Sequence, residues 1–210
     1  MNKLVEFRDV GLSFNGKEVF SHLNFSIFRN EKILLKGKSG SGKTSAVAIM
    51  LGFLKPTSGI VLYDDKPATL SAIRNFRREC SLIPQVLNFG TAPTAEKFIE
   101  EIFSYKANRA KNPTAEVLLS VCESVNIEHS LLTTEIDKLS GGERQRIASL
   151  VALLLNREIV IADEPTSALD ADNSRKIIDM LLGRNGTLIC ISHDDSVVNL
   201  FEKVIPFGED

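Results

Sequence analysis

The stretch Gly37-Lys38-Ser39-Gly40-Ser41-Gly42-Lys43-Thr44 decides the fold of this 210-residue chain. Residues 32–36, just before it, form an apolar run that is typical of a buried strand, and residues 45–51 are typical of the first turns of a helix. A strand, a glycine-rich turn and a helix are the context in which the pattern G-x-x-x-x-G-K-[ST] forms a phosphate-binding loop. The alternative is a flexible Gly/Ser turn, which the fitting flanks disfavour.

The residue types of this loop suit a bound phosphate chain. Glycines let backbone N–H groups point at anionic oxygens, and the start of the following helix adds the positive end of its dipole. We expect Lys43 to reach the β- and γ-phosphates and the Thr44 hydroxyl to ligate Mg²⁺. The predicted nucleotide-binding residues here are Gly37, Ser39, Gly40, Ser41, Gly42, Lys43, Thr44 and Ser45.

Composition narrows the functional classes. The chain carries 25 basic and 27 acidic residues, a net charge of −2, which gives no basic excess for a nucleic-acid partner. Cys80, Cys122 and Cys190 are isolated and lack C-x-x-C spacing, so we expect buried thiols of a reducing compartment. The first residues lack a secretory apolar core, and the longest apolar run, 147–155, is too short to span a bilayer. These features predict a soluble, cytoplasmic-type protein.

The first thirty residues predict antiparallel strands. Residues 4–10 alternate apolar and charged side chains, which indicates a half-buried strand. Residues 11–20 then suggest a strand, an Asn-Gly turn and a second strand, and residues 23–27 alternate again. We therefore expect a small antiparallel sheet beside the nucleotide core.

Later segments alternate between helical and strand patterns. Residues 96–108 and 114–126 place apolar side chains three and four apart, which predicts a helical lobe inserted between core strands. Residues 158–162 and 188–192 are almost wholly apolar, as strands buried on both faces of a sheet must be. Strands that alternate with helices imply a mostly parallel α/β sheet.

Two carboxylates follow one of these buried strands. Asp163 at the strand end can hold Mg²⁺ opposite Thr44, and Glu164 can polarise the water that attacks a γ-phosphate. The alternative is a plain turn before Pro165. With a phosphate loop in the same chain, the catalytic interpretation is favoured.

Residues 139–146, Leu-Ser-Gly-Gly-Glu-Arg-Gln-Arg, form a second candidate anion site. They predict a Ser/Gly helix start with several free backbone N–H groups at a positive helix end. A simple N-cap loop is the alternative. Since the chain already has a phosphate cradle, this helix start is best explained as a cap on the phosphate of another molecule.

With these motifs in this order, the chain resembles the nucleotide-binding subunits of ABC transporters over essentially its whole length. Residues 37–44 match the Walker A loop, and residues 139–143 match the LSGGE signature, which is the most family-specific motif. Residues 159–164 match Walker B with its catalytic glutamate, and residues 167–170 match the D-loop that ends in Asp170.

The resemblance assigns three further residues. Gln85 matches the Q-loop glutamine, which implies contact with the metal and the attacking water. His193 matches the switch histidine, which implies contact with the γ-phosphate, although a lone histidine after a strand is more often structural. Phe14 lies where the family usually places an aromatic residue, often tyrosine, that stacks on adenine, so stacking is kept and the hydroxyl is lost. The implied catalytic set is Glu164, His193 and Gln85, and the implied metal ligands are Thr44, Gln85 and Asp163.

The resemblance also implies the fold and the assembly. The expected fold is α/β, with a P-loop NTPase (RecA-like) core, an antiparallel β subdomain and an inserted α-helical subdomain. It forms one domain, 1–210, whose core comprises 1–84 and 137–210 and whose helical subdomain is about 85–136. Two copies, or one copy and a related cassette, are expected to enclose ATP and Mg²⁺ between the Walker A loop of one and Ser140, Gly141 and Gly142 of the other.

A separate integral membrane permease is the implied second partner, which would place the chain at the cytoplasmic face of the inner or plasma membrane. Residues 86–90 would lie at the docking groove, or they would belong to the core of the helical lobe; the sequence leaves both open. The short lobe slightly favours an exporter over an importer.

Two other functional classes fit the sequence less well than transport. A soluble assembly or repair ATPase is disfavoured because heptad arms, paired cysteines and a duplicate P-loop are missing from the sequence. A regulatory module without turnover is disfavoured by Glu164, Gln85 and His193.

Overall fold

The computed structural model describes residues 2–208, and these divide into two compact units. One unit contains the residues up to Cys80 together with those from Asn185 onward, and the other contains Ser81–Arg184. The strands are β1 (Lys3–Phe14), β2 (Lys17–Phe28), β3 (Lys32–Gly37), β4 (Ser58–Tyr63), β5 (Lys66–Pro67), β6 (Cys80–Ile83), β7 (Ile159–Asp163), β8 (Thr187–Ser192) and β9 (Lys203–Phe207). The helices are α1 (Lys43–Met50), α2 (Leu70–Glu79), α3 (Ala95–Ser104), α4 (Ala115–Ser124), α5 (His129–Leu132), α6 (Gly141–Leu154) and α7 (Ala171–Gly183).

The first unit contains an antiparallel sheet, with strand order β2-β1-β4-β5. This confirms the antiparallel subdomain expected from the first thirty residues. One detail was wrong, because the strand segments predicted on either side of His22 form the single strand β2. The pairing of β1 with β2 passes through register shifts, and Asp9 and His22 take φ values of 52° and 51° there. Such bulges absorb the interruption in the alternating pattern without ending the strand.

The same unit also contains three parallel strands. Strand β3 pairs in parallel with β8 on one side and with β9 on the other. The middle residues of β3 and β8 are completely buried, as their apolar sequences predict. The carboxyl ends of these parallel strands meet at one edge, where the phosphate loop follows β3.

The second unit is built around α6 and β7. All five residues of β7 are buried, and β6 is its hydrogen-bonded neighbour. Helix α6 begins with a capping box in which the side chains of Ser140 and Glu143 bond each other's backbone N–H groups. The helix start predicted within residues 139–146 is thereby confirmed.

The predicted helical lobe is present as α3, α4 and α5, with one shorter helix than expected. Helix α3 ends at Ser104, whereas the apolar pattern suggested continuation to residue 108. The side chain of Asn108 donates to the Ile102 carbonyl at 2.8 Å, and Arg109 donates to the Ser104 carbonyl at 3.2 Å. Because these side chains satisfy the last carbonyls of the helix, the backbone can turn away there.

None of the helices within residues 2–208 combines the length and the apolar character that a membrane span requires. The longest of them, α6, has 14 residues.

Candidate nucleotide-binding site

The phosphate loop joins β3 to α1 through glycines in a left-handed backbone conformation. Gly40 and Gly42 have φ values of 82° and 93°, and Gly42 is the N-cap of α1. Such values are open to glycine and costly for residues with a Cβ atom. The loop therefore ends at a helix start, which is where backbone N–H groups and the helix dipole favour an anion.

Lys43 lies across this loop. Its side chain is almost buried, at 6% exposure, and Nζ donates to the carbonyl oxygens of Gly37 and Lys38 at 2.7 and 2.8 Å. The hydroxyl of Ser41 lies 3.4 Å from the same nitrogen. All three partners are neutral oxygens, so none of these contacts neutralises the positive charge of Lys43. That arrangement suits a site for an anionic phosphate chain.

Two aromatic residues support the loop from outside. A Cβ atom on Gly42 would lie 2.6 Å from the ring of Phe20, and one on Gly37 would lie 2.3 Å from the carbonyl oxygen of Phe207. The two rings meet edge to face at 6.3 Å. The loop is thus packed between β2 and β9. Sequence reasoning missed Phe20 and Phe207, because nothing in the motif indicates which distant side chains pack against it.

Phe14 lies at the end of β1, beside the turn formed by Asn15 and Gly16. It is 47% exposed. The adenine-stacking role expected for Phe14 stays a prediction.

The predicted switch histidine follows β8 in the same unit as the phosphate loop. Lys36 pairs in register with Ser192, so His193 follows β8 at the sheet edge from which the phosphate loop begins. Lys36 also forms a 2.6 Å ion pair with Asp195. Hydrogen bonds from Ser196 lower the pKa of the Asp194 carboxyl below its ordinary value, with a smaller contribution from His193. The segment after β8 is therefore tied to the strand that carries the loop.

In the second unit, β7 ends in two carboxylates with little solvent contact. Asp163 is 4% exposed and Glu164 is 8% exposed. A buried carboxylate costs free energy unless it is compensated, so this pair is unusual at the end of an apolar strand. Glu164 also has a φ of 51°, a strained value for a residue with a side chain. Strain of this kind is concentrated at functional sites.

The signature segment begins α6 and packs against the predicted D-loop. A Cβ atom on Gly142 would lie 2.9 Å from the carbonyl oxygen of Ala168, and one on Gly141 would lie 3.6 Å from the Ala168 Cβ. The Ser140 side chain itself is exposed. Only a glycine fits at position 142 without displacing the D-loop backbone, which explains the second glycine of the motif by packing.

Asp170 at the end of the D-loop caps α7. Its two carboxylate oxygens accept from the backbone N–H and the side-chain amide of Asn173, at 2.9 and 2.7 Å. These hydrogen bonds lower the pKa of Asp170. The side chain of Asn126 in turn donates to the Asn173 amide oxygen at 3.2 Å. Sequence reasoning identified Asp170 and missed both asparagines.

Gln85 and the residues after it extend from the end of β6. Gln85 is exposed, and its expected contact with the metal and the attacking water stays a prediction. Residues 86–90 were expected either at a docking groove or in the core of the helical lobe. Phe89 is buried, with its ring centroid 5.0 Å from that of Phe98, which fits the core alternative. Val86 is 80% exposed, which fits the docking alternative. A cavity of about 490 Å³ is lined by Leu87 and the residues that follow it. Its lining includes Asn88, Thr91, Glu135, Asp137 and Arg144.

The predicted site residues are divided between the two units. The first unit contains Phe14, residues 37–45 and His193, and the second contains Gln85, Ser140, Gly141, Gly142, Asp163, Glu164 and Asp170. The hydroxyl of Thr44 and the carboxylate of Asp163 are hard oxygen donors, which suit Mg²⁺.

Comparison with known proteins gives a consistent set of matches. The family model described as "ABC transporter" matches residues 20–167. Proteins of several Staphylococcus aureus strains, named "Putative hemin import ATP-binding protein HrtA", are 30% identical over 204 residues, which cover 94% of this chain and 92% of the relative.

Two solved structures are similar over nearly the whole chain. One is described as a dimeric, post-hydrolysis state of the ATP-binding cassette MJ0796 bound to ADP and Pi. It shares 26% identity and a TM-score of 0.77, over 97% of this chain and 94% of that chain. The other, cbiO1 from Clostridium perfringens, is described as part of the ABC transporter complex cbiONQ. It shares 22% identity and a TM-score of 0.75, over 99% of this chain and 85% of that chain, and supports the fold.

Proposed function

This chain belongs to the ABC transporter family and is one of its ATP-binding and ATP-hydrolysing subunits, and we propose that two copies close around two molecules of ATP-Mg²⁺ to drive a separate membrane permease. The observation that supports the proposal is that one chain contains two helix starts of the kind that suits a phosphate. One follows the phosphate loop, and the other begins at the exposed Ser140. A single copy would use only its loop, so the second helix start is available for the nucleotide held by another copy.

The residues divide the reaction, ATP plus water to ADP and phosphate, among distinct tasks. Lys43 and the loop N–H groups bind the β- and γ-phosphates, and Phe14 stacks on the base. Glu164 orients the attacking water and accepts its proton, and His193 holds the γ-phosphate. The γ-phosphate also bridges to the second copy, so its release lets the pair open.

Thr44, Gln85 and Asp163 are the proposed ligands of Mg²⁺. When bound, the ion neutralises charge on the phosphate oxygens. The oxygen donors of these three side chains are those that Mg²⁺ prefers. A role as metal ligand would also account for a carboxylate at the buried position of Asp163.

The substitution Glu164→Gln tests the proposed pairing. It keeps the size of the side chain and removes the proton acceptor, so ATP should bind and persist. We expect the variant to elute as a dimer in size-exclusion chromatography with ATP-Mg²⁺ and as a monomer with ADP. A monomer at saturating ATP-Mg²⁺ would refute the pairing. The double variant Lys43→Ala, Glu164→Gln is the matched control, because it should stay monomeric in both nucleotides.

Permease docking is proposed at Val86 and the cavity lined by Leu87 and the residues that follow it. The exposed apolar side chain of Val86 and the polar groups around that cavity support a surface for a short helix of the partner. Val86→Asp should abolish co-purification with the permease and leave the ATP-dependent dimer of the Glu164→Gln protein intact. Retained co-purification would refute docking at this position.

The named relatives suggest a direction and a cargo of transport for this chain. The relatives at 30% identity are named for hemin import, which opposes the slight preference for export that the short helical lobe indicates. Hemin is therefore the first cargo to test. Cells that carry this chain and its permease should accumulate hemin in an ATP-dependent manner, whereas Glu164→Gln cells should not. Loss of hemin from preloaded cells would instead support export, and no flux in either direction would exclude hemin.

A further inference from the structure

The hydroxyl of Ser140 is held within its own copy by Glu143. One carboxylate oxygen of Glu143 accepts from the Ser140 backbone N–H at 2.7 Å and from the Ser140 hydroxyl at 2.7 Å. The backbone N–H of Glu143 lies 3.3 Å from the same hydroxyl oxygen. The donation from Ser140 lowers the pKa of Glu143, so the carboxylate is charged at neutral pH.

A serine hydroxyl has one proton to donate. While that proton is directed at Glu143, it is not available to an oxygen of a γ-phosphate. The bond to a carboxylate is charge-assisted, and such bonds are shorter and about twice as strong as neutral ones. The nucleotide of a second copy must therefore compete with Glu143 for the Ser140 hydroxyl.

The neighbouring helices of the same unit lack this arrangement. Helices α3 and α4 are capped by Thr94 and Thr114, whose hydroxyl oxygens accept from the N–H groups of Lys97 and Val117 at 3.3 Å. Neither lysine nor valine offers a carboxylate to the capping hydroxyl. A helix in this unit can thus be capped without an acid three residues after the capping residue. The acid at this position in α6, Glu143, therefore has an additional effect, which is to hold the hydroxyl proton of Ser140.

We propose that Glu143 is a positioning residue that holds the Ser140 hydroxyl within its own copy and thereby raises the ATP concentration at which two copies close. This inference rests on the proposed function, because it concerns the contact between Ser140 and the nucleotide of the second copy. In the absence of that nucleotide, Glu143 satisfies the hydroxyl. On closure, the phosphate takes its place.

The test measures dimer formation against ATP concentration by sedimentation velocity, in the Glu164→Gln background. The substitution Glu143→Gln keeps an acceptor for the Ser140 N–H and removes the charge. We expect the half-saturating ATP concentration to fall by about threefold to tenfold, which is the difference between a charged and a neutral hydrogen bond. Glu116→Gln is the matched control, because Glu116 is an acid in the first turn of α4 and should leave the midpoint unchanged.

A double-mutant cycle separates competition for the hydroxyl from a general effect of charge or helix stability. With Ser140→Ala, no proton is left to compete for, so the effect of Glu143→Gln should shrink to less than about twofold. An equal shift with and without the Ser140 hydroxyl would overturn the inference, as would an unchanged or raised midpoint in Glu143→Gln alone. In those cases the ATP-dependent dimer of the parent protein would still stand. Failure of the Glu164→Gln parent to dimerise would refute the proposed function, and this inference with it.

Discussion

The three glycines of the phosphate loop allow backbone strain and steric contact to be measured separately. Gly40 has a φ of 82° and no atom within 4 Å of a would-be Cβ, so Gly40→Ala tests strain alone. At Gly37, where a Cβ would meet the Phe207 carbonyl oxygen at 2.3 Å, Gly37→Ala tests contact with a backbone atom. Gly42 combines a φ of 93° with a Cβ position 2.6 Å from the Phe20 ring.

The expected losses of stability follow from these distances. A left-handed conformation costs an alanine about 1–2 kcal/mol, partly offset by the lower entropy of its unfolded chain. An extra methyl group in a packed site costs about 1–3 kcal/mol. The free energy of unfolding should therefore fall by about 1 kcal/mol in Gly40→Ala and by about 2–4 kcal/mol in Gly42→Ala. Urea-induced unfolding followed by circular dichroism measures both values.

A second substitution isolates the contribution of Phe20. In a Phe20→Ala background the closest contact of the Gly42→Ala methyl group is removed and Val19 Cγ1, at 3.0 Å, remains. The cost of Gly42→Ala should therefore fall toward that of Gly40→Ala and stay somewhat above it. Isothermal titration with ATP should show weakened binding in Gly42→Ala and partial recovery in the double variant. Equal costs of Gly42→Ala with and without the Phe20 ring would refute the packing of β2 against the loop. A Gly40→Ala protein as unstable as Gly42→Ala would refute the division into strain and contact.

Three further predictions follow from other parts of the site. Lys43→Met removes the ammonium group that bonds Gly37 and Lys38, and ATP affinity measured by titration calorimetry should fall by about a hundredfold or more, because charge-assisted bonds to phosphate are lost; an unchanged affinity would contradict the role of Lys43. The pKa of Asp170 is lowered in the folded chain, so its cap on α7 stabilises the protein above the unfolded-state pKa, and this stabilisation is lost as pH falls through the folded-state pKa. The loss of stability in acid should therefore be smaller in Asp170→Asn, and identical pH profiles of the free energy of unfolding would contradict this. Asn126→Asp replaces the amide that donates to the Asn173 oxygen by an acceptor, so the NH₂ group of Asn173 should turn away from Asp170. The pKa of the Asp170 carboxyl, measured by NMR titration, should then be higher than in Asn126→Gly, and equal pKa values would show that Asn126 does not orient the amide.

Local motifs made much of this fold predictable. The phosphate loop, the start of α6 and the buried strand before Asp163 are each encoded within about ten consecutive residues, where spacing and residue type determine the backbone. Helix α7 is likewise encoded locally, through its buried residues Ile177, Ile178 and Leu181. Helix α2 contains few apolar side chains, and Phe76 is its one buried residue.

Contacts between distant parts of the chain could not be predicted in the same way. Phe20 and Phe207 come from opposite ends of the sequence, and their packing on the loop depends on how β2 and β9 fold. The hydrogen bond from Asn126 to Asn173 depends on the left-handed backbone conformation of Asn126, which a single asparagine in the sequence does not predict. The strained φ of Glu164 is likewise set by its surroundings.

The central claim is that each nucleotide is held by two copies of the chain, and mixing two inactive variants tests it most directly. Lys43→Ala removes the phosphate loop lysine, and Ser140→Arg blocks the signature helix start, so neither variant alone should hydrolyse ATP. In a mixed pair, the intact loop of one copy meets the intact signature of the other, and one of the two sites is complete. We expect an equimolar mixture to recover about a quarter of the wild-type phosphate release, because half the pairs are mixed and each has one working site. A mixture that forms mixed pairs and stays inactive would contradict the account.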